Sequence, residues 1–172
     1  METKRVKIPI AVTLLASVAV AGLAWWMHRP PEDDYPRKEV RINCISNMKQ
    51  ISIAFRLWSG DNGDAYTFNT STNKGGTLEF CDRDRDGFER NSARHFLPMS
   101  NELNTPKVLT CPQDPSKKPA ADWAGLTAAN VTYRIHSGTN VDELHPNEVL
   151  FVCPIDGNTA YCDGRVEPGK AK

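Results

Sequence analysis

The sequence has no excess charge of either sign, because 21 Lys and Arg residues balance 21 Asp and Glu residues. No whole-chain field therefore attracts the protein to nucleic acid, and we expect no nucleic-acid partner. Common catalytic motifs are also missing: there is no H-E-x-x-H, no G-x-S-x-G and no Gly-rich phosphate loop before a helix. We therefore expect a protein that is not an enzyme. The absence of any C-x-x-C pair likewise disfavours a four-cysteine zinc site.

One segment near the start lacks charge altogether. Residues 8–27, IPIAVTLLASVAVAGLAWWM, form an apolar run long enough to cross a bilayer core of about 30 Å as a helix. Basic residues precede this run and acidic residues follow it, so the positive-inside rule predicts that residues 1–7 are cytoplasmic. We expect a single-pass helix in the inner (cytoplasmic) membrane, in contact with membrane lipid, and a periplasmic or extracellular remainder. A signal peptide cleaved near residues 22–24 is the alternative, and it also exports the remainder.

A proline-rich charged segment follows at residues 28–38, with Pro30, Pro31 and Pro36. Proline removes backbone donors and disfavours helical conformation in the residue before it, so this segment is predicted to be an extended spacer. The folded head is then expected over residues 39–172.

The head is predicted to begin with one long amphipathic helix. Apolar residues recur at steps of four, three, four and three, which places them on one helical face: Cys44, Met48, Ile51, Phe55 and Trp58. Gly60 lies near a C-cap position, and the Asp and Asn residues after it are typical of a turn. Such a helix must bury its apolar face against another element.

Downstream segments rich in β-branched and aromatic residues predict short strands. These segments are residues 107–111, 131–135, 148–153 and 159–162. The stretch PIDGN resembles a hairpin loop between the last two, and Asp163-Gly164 offers a tight turn before RVE. The sequence therefore predicts an α+β fold: an N-terminal transmembrane helix, then a head in which one long helix packs on a small antiparallel sheet.

The five cysteines leave several pairings open. An odd number means that at least one thiol is unpaired or pairs between chains. Cys44 is the candidate for the free thiol, since it lies on the apolar helical face. Cys153 and Cys162 flank the predicted hairpin, which would bring them within reach of a disulfide, and Cys81 with Cys111 would be the remaining pair. Plain buried thiols are the alternative.

The stretch CDRDRDGFERN contains the candidate metal site. Asp82, Asp84 and Asp86, followed by Gly87, reproduce the first half of a calcium loop, in which alternating carboxylates converge on a hard cation. The twelfth position, counted from Asp82, is Ala93 rather than the usual bidentate Glu. The alternative is a solvated charged loop with local ion pairs. Calcium is the only cofactor that the sequence suggests.

Three stretches resemble type IV pilin-like and type II secretion pseudopilin-like proteins of bacteria. They are NCISNMKQISIAFRLWSGDNGD at residues 43–64, HFLPMSNELNTPKVLTCPQD at residues 95–114 and GNTAYCDGRVE at residues 157–167. The resemblance implies a membrane helix, an exported α+β head and a structural or accessory role in a pilus-like or secretion-like assembly with other pilin-like subunits. It also implies that calcium binding in the head would have precedent.

The N-terminus departs from that family, because the Gly-Phe processing site and the Glu that follows it are missing. Prolines also interrupt the segment between the membrane helix and the head, which is a continuous helix in the family. These departures favour the alternative function, a stand-alone membrane-tethered binding module that does not polymerise.

Overall fold

The computed structural model describes residues 22–28 and 34–169. The chain divides into two compact units, Met1–Arg37 and Lys38–Lys172. In the first unit residues 22–27 are helical. The second unit contains most of the long helix, the sheet and the buried core.

No helix within residues 22–28 and 34–169 is both long and apolar enough to cross a membrane. This finding overturns the predicted transmembrane helix, and with it the fold class as predicted and the single-pass membrane localisation. Six helical residues at 22–27 extend only about 9 Å, and the longer helix that follows carries charged residues in most of its turns. The rest of the predicted span and the predicted cytoplasmic start, residues 1–21, lie outside the described residues.

Helix α1 (Asp34–Asp61) is the only long helix of the described chain. It begins within the predicted spacer, and Pro36 is accommodated because the first turn of a helix has no acceptor for its N–H groups. At the other end Asn62 Nδ2 donates to the carbonyl of Trp58 at 2.8 Å. Gly63, with φ of +75°, then turns the chain away, so the left-handed residue lies three positions after the predicted Gly60.

The sheet has four antiparallel strands in the order β1-β2-β3-β4. The strands are β1 (Arg134–Ile135), β2 (Val149–Val152), β3 (Thr159–Tyr161) and β4 (Val166–Glu167). Strands β2 and β3 form the predicted hairpin, with Val152 opposite Thr159 and an irregular register between Val149 and Phe151. The turn before β4 uses Gly164 at a φ of +85°. The α+β class and the small antiparallel sheet are thus present.

Helix α1 and the sheet share one hydrophobic core. All five residues of the predicted apolar face are at most 5% exposed. Phe55 lies at the centre, where its ring is 5.4–6.3 Å from four other aromatic rings, those of Tyr66, Phe68, Phe96 and Phe151. Each such aromatic pair contributes about 0.5–1.5 kcal/mol beyond the area that it buries.

The predicted strand at residues 107–111 is wrong. Most of this segment is a 3-10 helix, Pro106–Leu109, with Pro106 in its first turn and Thr105 Oγ1 accepting a hydrogen bond from Lys107 N at 3.4 Å. Proline pre-sets the helical φ and the threonine caps the turn, so local backbone preferences outweigh the β-branched composition. Two one-turn helices, α2 (Ala93–Phe96) and α3 (Ser100–Leu103), precede it.

Candidate functional site

The acidic loop, residues 81–91, folds into a tight turn. Asp84 N donates to Phe88 O at 2.9 Å, and an isolated antiparallel bridge joins Arg83 to Glu89. Gly87 has a φ of +84°, and a side chain at this position would collide with the ring of His136. The loop therefore requires glycine here, as the sequence pattern suggested, because of the positive φ and the closeness of His136.

The three aspartates of the predicted calcium site do not converge on one point. Asp82 pairs with Arg90 and Asp84 pairs with Arg134, whose guanidinium also lies 4.8 Å from the ring of Phe88. Asp84 also accepts hydrogen bonds from the backbone N–H groups of Asp86 and Phe88. Burial raises the pKa of Asp84, but these bonds and the guanidinium together lower it below 3.8. Two groups of potential ligands come close together in residues 22–28 and 34–169, and neither includes these aspartates.

Glu89 is the buried carboxylate of the acidic loop. It accepts hydrogen bonds from Asp82 N at 2.8 Å and from Ser137 Oγ, and its Oε2 lies 3.2 Å from His95 Nε2. On the other side of the imidazole, Thr77 Oγ1 lies 2.7 Å from His95 Nδ1. A hydroxyl, an imidazole and a carboxylate thus lie in line, but all three side chains are buried. Buried and mutually bonded, these side chains have the properties of a structural network, and Glu89 also lines a cleft of about 490 Å³.

Burial sets the charge of this network. The pKa of His95 lies below 6.5, primarily because burial disfavours the imidazolium form. Burial raises the pKa of Glu89, whereas the hydrogen bonds from Ser137 and from Asp82 N lower it. The lowering is the larger effect, so the pKa of Glu89 lies below its ordinary value of 4.5. At neutral pH the network therefore holds a neutral imidazole and an ionised carboxylate. Glu89 was considered from the sequence only as a substitute calcium ligand, and its pairing with His95 was not predicted, since nothing in their spacing relates them.

All five cysteines are free, so neither predicted disulfide is formed. Cys81 belongs with Glu89 and His95, and its Sγ lies 3.4 Å from the carbonyl of Phe68. Cys162 is buried separately, where Tyr66 Oη donates to its carbonyl at 2.9 Å. The hairpin therefore does not bring Cys162 to Cys153.

Cys111 and Cys153 instead meet Cys44 and a carboxylate in what we call the thiol cluster: Cys44, Cys111, Cys153 and Asp156. Their three Sγ atoms and one carboxylate oxygen all lie within 4.8 Å of one another. The three cysteines are at most 1% exposed, whereas Asp156 is partly exposed. Helix α1 supplies Cys44, the segment after Pro106–Leu109 supplies Cys111, and the β2–β3 hairpin supplies the other two.

Contacts within the thiol cluster shift the pKa values of its three cysteines in different directions. Hydrogen bonds from the thiols of Cys111 and Cys44, against the effect of burial, lower the pKa of Cys153 from 9.0 to about 3. The bond to Cys153 in turn raises the pKa of Cys111 to about 12. Hydrogen bonds to Cys111 and Cys153 raise the pKa of Cys44 well above its usual value.

A repeated tetrapeptide could have identified this site. The sequence contains Cys-Pro-x-Asp twice, at residues 111–114 and 153–156. Both form turns, in which Asp114 N donates to Cys111 O at 3.0 Å and Gly157 N donates to Cys153 O at 2.9 Å. Asp156 points into the cluster, with one oxygen 3.5 Å from Cys111 Sγ. Asp114 does not, because Ser116 and Thr132 donate hydrogen bonds to it.

A second candidate site lies on the solvent side of α1. Ile42, Ile53 and Leu57 are 64%, 57% and 55% exposed, and they fall within about 60° of one another around the helix axis. We call these three residues the outer face. Beside them Arg56 and Glu143, together with Ile53 and Leu57, line a shallow groove of about 280 Å³.

Comparison with protein-family models, with curated proteins and with solved structures finds no match for this chain. The resemblance to pilin-like proteins therefore stays a prediction from the residues that carry it.

Proposed function

We propose that this chain is a non-enzymatic subunit, structural or accessory, of a type II secretion-like or type IV pilus-like apparatus. In this proposal α1 contacts the helices of other pilin-like subunits through its outer face. Two features support it. Three stretches of the sequence resemble pilin-like proteins, and the head combines one long helix with a small antiparallel sheet, as that resemblance implies.

The observation that carries the proposal is the set of exposed apolar residues on the solvent side of α1, where exposed Ser46 and Lys49 separate Ile42 from Ile53 and Leu57. A helix on the surface of a monomer normally has one apolar face. In α1 the residues that pack against the core already form that face. Ile42, Ile53 and Leu57 lie on the opposite side and remain in water. Aligned exposed apolar residues on one helix are typical of a surface that contacts another protein.

Charged residues at the edge of the outer face are suited to orient such a contact. Arg56 Nε lies 3.8 Å from Glu143 Oε1, which also accepts a hydrogen bond from Ser59 Oγ at 3.0 Å. A partly exposed pair of this kind contributes little stability to the monomer. At the rim of an interface, charges of both signs favour one register of the partner helix over others.

The experiment is site-specific photocrosslinking of the full chain in its native cells, with the probe at Ile53 or at Leu57. We expect crosslinks to a second copy of this chain or to another pilin-like subunit, since both present a comparable helix. A probe at Leu78, which is 47% exposed and belongs to a different element, the 3-10 helix Leu78–Phe80, serves as the matched control and should give none.

Replacing Leu57 by Glu should weaken the contact about 10-fold or more, because a charge would then be buried at the interface. Folding should be unaffected, since position 57 is exposed in the monomer. Crosslinks at Leu78 equal to those at Ile53, or a chain that stays monomeric without crosslinks to pilin-like proteins, would refute the proposal. A monomer would favour the alternative, a binding module that does not polymerise.

A further inference from the structure

Four ligand atoms of the thiol cluster come together from three separate parts of the chain. In a tetrahedral zinc site with Zn–S bonds of about 2.3 Å, the sulfur atoms lie about 3.8 Å apart. The ligand atoms here are all within 4.8 Å of one another, and Cys111 Sγ is 3.5 Å from a carboxylate oxygen of Asp156. Small side-chain rotations therefore suffice to place all four around one ion.

We propose that the thiol cluster is a structural binding site for one Zn²⁺ ion. Thiolate sulfur selects soft or borderline metals, and four protein ligands in tetrahedral reach leave no open position for a substrate. The site is thus predicted to hold the fold together rather than to perform catalysis.

Apolar packing explains this arrangement less well. An isolated buried cysteine behaves as a small apolar residue, and Cys162 fits that description. Three thiols that converge on one another, with a carboxylate directed at them, instead place polar, ionisable groups together in the core. Such a group of ligands is stabilised when a cation neutralises it.

The backbone of both Cys-Pro-x-Asp turns supports the sulfur atoms as metal ligands. Asp114 N donates to Cys111 O at 3.0 Å, and Gly157 N donates to Cys153 O at 2.9 Å. These bonds close each turn and so fix the backbone that positions its sulfur atom.

Side chains support the third sulfur in the same way. Asn158 Nδ2 donates to Cys44 Sγ at 3.5 Å, and Tyr133 Oη lies 3.7 Å from it. Asn158 is itself held in place, because its Oδ1 accepts a hydrogen bond from Gly169 N at 2.9 Å. Outer-shell partners of this kind affect metal affinity by about 10–100-fold.

Neighbours of the thiol cluster, but none of its four ligands, line a cleft. This cleft of about 490 Å³ is lined by Pro154 and Ile155 of the second turn and by Tyr133, and Asp156 is partly exposed. Each thiol that binds the ion releases its proton to solvent, so binding should become weaker as pH falls. Once bound, the ion would link α1, the segment at Cys111 and the β2–β3 hairpin.

The test is a titration of the fully reduced full-length chain with Co²⁺, followed by displacement with Zn²⁺. We expect an end point of one ion per chain, the intense visible absorption of tetrahedral Co²⁺ and a thiolate-to-cobalt charge-transfer band. Zn²⁺ should then abolish both signals. These spectra report the ligands of the wild-type chain directly and do not depend on whether a variant folds.

Matched variants locate the site. Cys111→Ser and Cys153→Ser should lose the charge-transfer band or weaken binding about 100-fold or more. Cys81→Ser, which changes a cysteine outside the thiol cluster, should bind as the wild type does. Asp156→Asn should bind more weakly, and Asp156→Cys should restore tight binding with a stronger charge-transfer band.

Three results would overturn the proposal. The first is a reduced wild-type chain that binds no Co²⁺. The second is Co²⁺ binding of wild-type strength, with an undiminished charge-transfer band, in both Cys111→Ser and Cys153→Ser. The third is a disulfide between two cysteines of the thiol cluster in the purified protein, combined with no metal binding after reduction. The third result would identify the cluster as a disulfide with one additional thiol.

Discussion

The acidic loop and the thiol cluster both contain potential metal ligands, but the groups that surround those ligands differ. In the acidic loop, Asp82 and Asp84 each face an arginine. Glu89 accepts a hydrogen bond from Ser137 and lies 3.2 Å from His95 Nε2. In the thiol cluster the four ligand atoms instead lie within 4.8 Å of one another.

The difference shows that the density of ligands along a sequence does not predict their convergence in space. Residues 81–91 contain arginines between the acidic residues, so the charges are neutralised within a few residues or by the neighbouring strand. The thiol cluster draws on positions up to 112 residues apart, from Cys44 to Asp156. Only a folded chain can bring them together.

The largest effect that would separate the two regions is metal-dependent stability. At free Zn²⁺ about 1,000 times the dissociation constant, the proposed site would stabilise the reduced chain by about 4 kcal/mol. Thermal unfolding should therefore shift to higher temperature with Zn²⁺ and return when a chelator is added. Ca²⁺ at the same concentration should have no effect. A stabilisation by Ca²⁺ that Asp84→Ala abolishes would instead restore the calcium reading of the acidic loop.

The next largest effect is expected at the buried carboxylate of the acidic loop. Glu89→Gln removes the charge that faces His95 and leaves donors in the core imperfectly paired, so we expect a loss of about 2–4 kcal/mol in the free energy of unfolding. Denaturant unfolding provides the measurement. Glu79→Gln, a change at an exposed carboxylate, should produce a distinctly smaller loss. Equal losses would contradict the structural role assigned to Glu89.

Acid should destabilise the same network. Burial lowers the pKa of His95 in the folded chain below its unfolded value of 6.5, so the unfolded chain takes up the proton first. The free energy of unfolding should therefore be highest above pH 6.5 and decrease as pH falls below it. His95→Gln should flatten this decrease between pH 7.5 and 5.5, whereas His28→Gln, a change at an exposed histidine, should retain it. An unchanged slope in His95→Gln would refute the assignment.

The smallest effect distinguishes the aspartates from one another. Asp84 accepts two backbone hydrogen bonds and pairs with Arg134, so Asp84→Ala should lower the melting temperature. Asp86 contributes only its backbone N–H to those bonds, so Asp86→Ala should leave the melting temperature almost unchanged. If the loop bound Ca²⁺, both substitutions should lower the melting temperature by a similar amount in the presence of Ca²⁺. This pair of variants therefore distinguishes a calcium loop from a turn held by Asp84.

Local patterns predicted the elements that local physics controls. The spacing of Cys44, Met48, Ile51, Phe55 and Trp58 predicted the buried face of α1, since helical periodicity places them on one side whatever they pack against. The β2–β3 hairpin and the turn at Gly164 followed from β-branched segments and turn residues. The prediction of a strand at residues 107–111 was wrong, because the proline before this segment favours a helical turn over its β-branched composition.

The sequence by itself determined the amphipathic helix, the strands of the hairpins and the glycine in the acidic loop, because each depends on residues a few positions apart. Only the tertiary structure decided that Cys111 meets Cys44 and Cys153 rather than Cys81, and that Glu89 and His95 share the core. These contacts depend on how α1 packs on the sheet and on where the connecting segments cross. Such long-range packing is set by the shape of the whole core, which no local pattern encodes.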